Sequence, residues 1–361
     1  MGRIATILFA HRLGTSLEPE CKMYRLAADV FNDAAMVLDC LSPAFPKASR
    51  VFLLSLSSVL RSLCGVAAGS SKASLSAHFA TQGNLGELNA VGISVYVALN
   101  TDHVQKDSSQ ETVISLLGML VGSLVVSRIS SQWATWTAMI GLLAVHLGTN
   151  YLAVRAVSMR TLNRQRANLV FSTYLEKCGN GEKEQDLKKV PSPQEISVIE
   201  RVFEKNGVLR WKGGKILGYC KIGVSLRTIL DLFGEKKKMT GSYTGSPSFG
   251  ARKLLDEFQD EDYILWYDST PKTFFIVLKV SANTTTQLHA WMHALFMARK
   301  LEDTEHVEPM LQHIIRTHSE LKSIATTAFD ERLIDAGWDI ETGALETRSG
   351  TRIKEERTGS T

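Results

Sequence analysis

Cysteine is scarce and scattered in this chain: Cys21, Cys40, Cys64, Cys178 and Cys220 are odd in number and never form a CxxC pair. That argues against a disulfide framework and against a cysteine-built zinc site, and leaves reduced, packed thiols as the expectation. An excess of charge is missing as well. Lys and Arg number 41 against 37 Asp and Glu, and the basic residues are interspersed among the acidic ones. The electrostatic footprint of a nucleic-acid binder is therefore lacking, and no nucleic-acid partner is expected. Catalytic fingerprints are missing too. Lys212-Gly213-Gly214-Lys215 lacks the GxxxxGK[ST] of a P-loop, and no nucleophile elbow, dinucleotide fingerprint or kinase signature occurs. His289 and His293 have the i, i+4 spacing that lets two imidazoles reach one metal, but no glutamate follows His289 as HExxH requires. A packed helix is the better reading of that pair, so the expectation is a non-enzyme with no cofactor and no metal.

What the chain has instead is long apolar runs. With 361 residues and 44% hydrophobic content it can build two or three domains with real cores. Trp133 to Val154 carries no formal charge, which meets the length a helix needs to cross about 30 Å of hydrocarbon. Val113 to Val126 is shorter and joined to it by Ser127 to Gln132. Its Gly118 and Gly122 form a GxxxG pattern that suits close helix packing in lipid. A helical hairpin over 113–154 is predicted.

Ahead of the hairpin, Leu26, Val30, Phe31, Ala34, Val37, Leu38 and Leu41 fall at helical spacing over Tyr24 to Leu41, and Pro43 and Pro46 end that helix. A second apolar helix is expected from Val51 to about Ala68, rich in small residues and interrupted only by Arg61, with polar residues inserted beyond Gly69. It suits a membrane bundle or a soluble amphipathic helix equally. The first ten residues resemble a short signal peptide, but His11 and Arg12 stand where a small-residue cleavage site belongs, so cleavage is not expected. Arg155, Arg160, Arg164 and Arg166 follow the second hairpin arm, Lys106 precedes the first, and Arg128 stands alone in the turn. The positive-inside rule then puts both ends of the hairpin, and the C-terminal domain, in the cytosol.

After a glycine-bearing charged linker at 177–192, the sequence changes character. Val208 to Ile222 and Tyr263 to Leu278 read as two β-hairpins; Pro193 to Phe203, Val224 to Phe233, Thr284 to Leu301 and Val307 to Ala336 read as helices. Glu235 to Phe249, with Lys236-Lys237-Lys238, reads as a loop. The fold class is mainly α: a helical membrane bundle over 1–176 with a C-terminal α+β domain over 193–336 and a disordered tail over 337–361.

Polar residues inside the apolar helices are the candidate site. Asp29 and Asp33 share one helix face, where they either bind a cation or pair with Arg61 or Lys72, or else form a solvated face. His146 lies midway along the uncharged arm, a depth at which an ionisable group is a functional candidate. His78, Lys106 and Glu111 complete the set. Asp107, Ser108, Ser109 and Glu111 have a simpler role open to them, capping the first hairpin helix. A small polar solute and membrane lipid are the partners this set implies.

At Lys106-Asp107-Ser108-Ser109-Gln110-Glu111-Thr112 the chain resembles a phrase that recurs in the root UV-B sensitive family. The resemblance runs back through Met1-Gly2-Arg3-Ile4, Asp29-Val30-Phe31-Asn32-Asp33, Gly65-Val66-Ala67-Ala68-Gly69 and His78-Phe79-Ala80, and forward through Asn150 to Val157. It covers residues 1 to about 170 and is loose after Pro191. It implies a membrane-associated eukaryotic protein whose plant relatives are tied to UV-B responses, vitamin B6 homeostasis and auxin transport, with pairing to itself or another family member among its partners. No catalytic residue carries over. In relatives the alanine corresponding to Ala90 runs directly into the lysine corresponding to Lys106, so Val91 to Gln105 is an insertion, either a retained intron or a genuine loop. Met1 falls inside a family phrase, so either the start lies upstream or this product lacks the first helices of its bundle. The function expected is a carrier-like or scaffolding membrane component. The alternative is a soluble or peripheral module that recruits a protein partner through its C-terminal domain.

Overall fold

The structure is a computed structural model that describes residues 4, 6–7, 19–79, 108–179, 189–232, 249–303, 309–324, 327–347 and 350–354. The insertion at 91–105, Lys106, most of the linker, the triple-lysine loop and the last residues of the tail lie outside the described residues. Among the described residues the chain is mainly helical, with its sheet in the C-terminal half. It divides into two compact units, residues 1–159 and 160–361.

The first unit is built from α1 (Cys21–Leu41), α2 (Lys47–Phe79), α3 (Ser108–Val126) and α4 (Gln132–Ala156). A short 3-10 turn over Ser42–Ala44, with Pro43 near its start, reverses the chain between α1 and α2. The two helices then pack closely because small residues meet: Ala28 and Ala67 are fully buried against each other's neighbours, and the Ser57 hydroxyl donates to Ala35 O at 3.2 Å. α2 continues unbroken past Gly69, as the run with inserted polar residues beyond it predicted. Among the described residues two helices, Lys47–Leu75 and Gln132–Ala156, are long and apolar enough to cross a membrane. α1 packs on both α2 and α4.

Both arms of the predicted hairpin form as helices. Among the described residues α4 packs on α1, with His146 in hydrogen-bonding contact there. A Cβ built on Gly118 or Gly122 meets nothing within 4 Å among the described residues, so the GxxxG groove is uncovered there, and Leu116 to Val126 are exposed.

The second unit is organised by a sheet in the order β1 (Val208–Arg210), β2 (Ile216–Ile222), β4 (Thr273–Lys279), β3 (Tyr263–Asp268). The β1–β2 and β3–β4 pairs are the antiparallel hairpins expected from their turns, while β2 and β4 run parallel. β4 is buried along its whole length, as its Phe274-Phe275-Ile276-Val277-Leu278 core requires. α5 (Arg164–Gly179), α6 (Pro193–Ile199), α7 (Leu226–Leu232), α8 (Phe249–Glu257), α9 (Thr284–Asp303), α10 (Met310–Ile324) and α11 (Thr327–Asp335) surround it. α6 starts on a capping box, Ser192 and Glu195 satisfying each other's backbone amides. In α9, Trp291 is fully buried, and its indole N–H donates to Asn168 Oδ1 at 2.8 Å while the Asn168 amide donates to Val208 O at 2.7 Å. One side-chain amide thus ties α9, α5 and β1 together.

Three features depart from the sequence reading. α5, placed in the first domain by the boundary at 176, packs its Val170, Phe171, Tyr174 and Leu175 into the core of the second unit. The helix expected over 307–336 is two helices, the second turning Phe329 and Leu333 inward, with Phe329 4.4 Å from the Tyr174 ring. The tail beyond Gly337, expected to be disordered, is structured over the described residues 338–347 and 350–354. Trp338 and Leu345 are buried, the Trp338 indole donates to Pro191 O at 2.8 Å, and β5 (Arg352–Ile353) pairs parallel with the end of β4 beyond the reach of β2. Isolated apolar residues in a charged stretch gave no periodicity from which to foresee this.

Gly207 makes the entry to β1 possible. Its φ is +77°, and a Cβ there would lie 2.7 Å from Cys220 O, which itself belongs to the strand partner. Gly207→Ala is therefore expected to destabilise the second unit by about 1–3 kcal/mol, read as a lower urea midpoint, while Gly213→Ala, with open space around it, pays only the left-handed backbone term.

Candidate functional site

α1 is amphipathic the wrong way round for water. Asp29 and Asp33 are 7% and 5% exposed, whereas Val30 and Met36 on the same helix are 41% and 39% exposed. The periodicity of α1 puts both carboxylates on the face that meets α2 and α4. There Asp33 Oδ2 lies 3.0 Å from His146 Nδ1, and Asp29 Oδ1 accepts from the Arg25 guanidinium at 2.9 Å. Each carboxylate keeps one buried oxygen, Asp29 Oδ2 and Asp33 Oδ1, with no hydrogen-bond partner among the described residues. His146 is the half-exposed member, its side chain 42% accessible, so the pair is buried on the aspartate side and open on the imidazole side.

The structure assembles part of the predicted set and separates the rest. Arg61 does not meet Asp29 or Asp33. It pairs with Asp39, one turn and a half further along α1, and together they line a shallow cleft of about 370 Å³ with Leu54, Ser57, Ser58 and Ser62. Asp39 was missed as a site residue. The available signal was that a lone guanidinium in an apolar helix needs an acid on its neighbour. His78 Nε2 is 3.0 Å from Ser158 O, in a local contact away from the aspartates, and Lys72 is exposed. Lys106 and the Glu111 side chain lie outside the described residues. Gly118 and Gly122 face open space.

A second polar cluster lies in the other unit. His293 is fully buried on α9, its Nδ1 3.1 Å from the Tyr263 hydroxyl and its Nε2 3.3 Å from the Thr317 hydroxyl. Burial, reinforced by neighbouring His318, pushes the His293 imidazole down to about 3 and keeps it neutral; burial also raises Tyr263 well above the ordinary phenol range. His318 sits between two acids, with Glu257 at 3.0 Å and Glu261 at 3.4 Å, and Lys322 reaches Glu261 at 2.8 Å. The hydrogen bond from His318, followed by Lys322, outweighs burial and holds the Glu261 carboxyl down at about 2. The i, i+4 partner His289 turns elsewhere, to Asp330 at 2.8 Å, so the two histidines of that pair serve different contacts. No group of three potential metal-binding side chains converges among the described residues. His293, Tyr263 and Thr317 are enclosed in the core, while Glu257, Glu261 and Lys322 form ion pairs toward the surface, which leaves the α1–α4 contact as the candidate site.

The family match falls on the same half of the chain. The family described as "Vitamin B6 photo-protection and homoeostasis domain" matches residues 1–178. The chain is 32% identical over 246 residues to "RUS family member 1" of Dictyostelium discoideum, an alignment that covers 67% of this chain and 40% of that protein. It is 33% identical over 203 residues to "Protein root UVB sensitive 3" of Arabidopsis thaliana, covering 56% and 40% respectively. "Protein root UVB sensitive 5" of the same plant aligns with 99% of the chain at 21% identity, covering 62% of that protein. The chain thus spans about two fifths of the length of the first two of these relatives. No solved structure matches. With the matched region holding α1, α2 and α4 and therefore the aspartate–histidine contact, the chain belongs to the root UV-B sensitive family.

Proposed function

We propose that this protein is an integral membrane component that carries or scaffolds a small polar solute, without converting it, through the site formed by Asp29, Asp33 and His146. The observation that carries this reading is the inverted polarity of the first unit. Its carboxylates are buried between helices, while Val51, Phe52, Trp133, Leu142, Val145 and Leu152 are exposed on the outer faces of α2 and α4. In water that distribution leaves contiguous apolar surface uncovered, whereas in hydrocarbon it is the stable arrangement. The domain's description supports a solute related to vitamin B6. Arg155 and Arg160 at the end of α4 favour a cytosolic second unit. Membrane lipid and a second family member are the further partners on this reading.

Alkaline carbonate extraction tests the first step: the full chain is expected to stay in the membrane pellet. The second step is uptake of labelled pyridoxine into vesicles reconstituted with the full chain, expected to fall at least about tenfold in Asp33→Ala. Release into the soluble fraction would favour the alternative, a peripheral module recruiting a protein partner. That alternative draws on the exposed Val198, Ile199 and Phe203 of the second unit.

A further inference from the structure

The charges around Asp33 do not balance. From α1 come Asp29, Asp33 and Arg25; from α4 comes His146; and from α2 comes the thiol of Cys64, which shares their field. With a neutral imidazole the set holds two carboxylates against one guanidinium, and it is short by one positive charge. Both carboxylates are at least nine-tenths buried, and each leaves an oxygen without a partner among the described residues. An unsatisfied buried carboxylate oxygen costs free energy until something donates to it. A multivalent metal is a poor candidate, because Asp29, Asp33, His146 and Cys64 share a field without three of them closing on one point, and no group that could hold a metal ion occurs among the described residues. A proton needs only one acceptor, and two are waiting beside an imidazole whose outer side is open.

We propose that Asp29, Asp33 and His146 form a binding site for one exchangeable proton, held by the Asp33–His146 pair and used to couple solute movement to a proton gradient. As a coupling site it rests on the carrier reading above; as a proton site it stands on the geometry alone. In the loaded form it sits on Asp33, whose Oδ2 stays in contact with His146 Nδ1, and the cluster is then charge-balanced. In the empty form the excess negative charge on α1 favours rearrangement of α1 against α4.

The test uses the purified full chain in detergent micelles and no solute. Infrared difference spectra between neutral and acidic samples are expected to show the C=O band of a buried protonated carboxyl. That band should vanish in Asp33→Asn. In His146→Gln the band should move in frequency, because the carboxyl loses its imidazole contact. Asp39→Asn, in the neighbouring cleft, should leave both its presence and its frequency unchanged. A band that persists in Asp33→Asn, or one unmoved in His146→Gln, overturns the proton site. Because the wild-type spectrum itself must show the band, misfolding of a variant does not shield the proposal. Vesicle uptake reports separately on the carrier reading. Pyridoxine uptake that ignores an imposed pH gradient, alongside an intact carboxyl band, would leave the proton site standing and remove its coupling role.

Discussion

Replacing Arg166 or Glu200 alone with alanine is expected to cost the second unit about 3–5 kcal/mol. The pair is buried on both sides, 2% and 4% exposed, with Arg166 Nε 3.1 Å from Glu200 Oε1, and the guanidinium also bonds Thr161 O. Burial of each charge is offset in large part by the other, so deleting one removes the opposite charge that its partner faces in the core. For a unit of this size that loss corresponds to a fall in Tm of roughly 6–20 °C. The double variant Arg166→Met with Glu200→Leu removes both charges and keeps the volume, and it should recover most of the loss. Urea unfolding of the four proteins in a double-mutant cycle gives the coupling directly. A double variant as unstable as the sum of the singles would mean that the arginine matters through packing on α5 and not through its charge.

That ion pair illustrates which parts of the molecule could be read from the chain. Periodicity found α1, α2, α4 and α9, and turn chemistry found both hairpins, because each of those signals is local. Arg166 was legible only as one of a run of arginines leaving a membrane helix, and nothing nearby indicated that it would be buried against Glu200. The same contrast holds at the candidate site. That Asp29 and Asp33 share a face follows from their spacing, and that His146 is unusual follows from its apolar surroundings. Their meeting does not follow, since Asp33 and His146 are separated by 113 residues and joined only by tertiary packing. Arg61 shows the opposite outcome: the need for an acidic partner was visible, but the choice of Asp39 over Asp33 depends on the axial offset of α1 against α2. The GxxxG of α3 was equally plain as a pattern, yet its groove is open, so the pattern alone did not say which helix, if any, fills it.

Acid is expected to unfold the second unit in two stages, and the first belongs to His293. In the folded unit its value is pushed down to about 3, while in the unfolded chain it is near the ordinary 6.5. Above that ordinary value both states hold a neutral imidazole and the group adds no pH dependence. Between the two values the unfolded chain takes a proton that the folded one refuses, so stability falls as the pH is lowered. The total is on the order of 3–5 kcal/mol. Glu261 acts lower down. Its folded value of about 2 lies below the ordinary 4.5, so its stabilisation is present above the ordinary value and is lost as the pH drops from there toward about 2. His293→Phe should flatten the upper stage. It should also lower stability at neutral pH by about 1–3 kcal/mol, because the Tyr263 and Thr317 hydroxyls lose their shared partner. Glu261→Gln should leave the upper stage intact and flatten the lower. Urea midpoints followed by tryptophan fluorescence across the two windows separate the contributions, since Trp291 lies on the same helix as His293. A His293→Phe curve that runs parallel to wild type between about pH 6.5 and 4.5 would place the acid sensitivity elsewhere, with His318 and its two glutamates the next groups to replace.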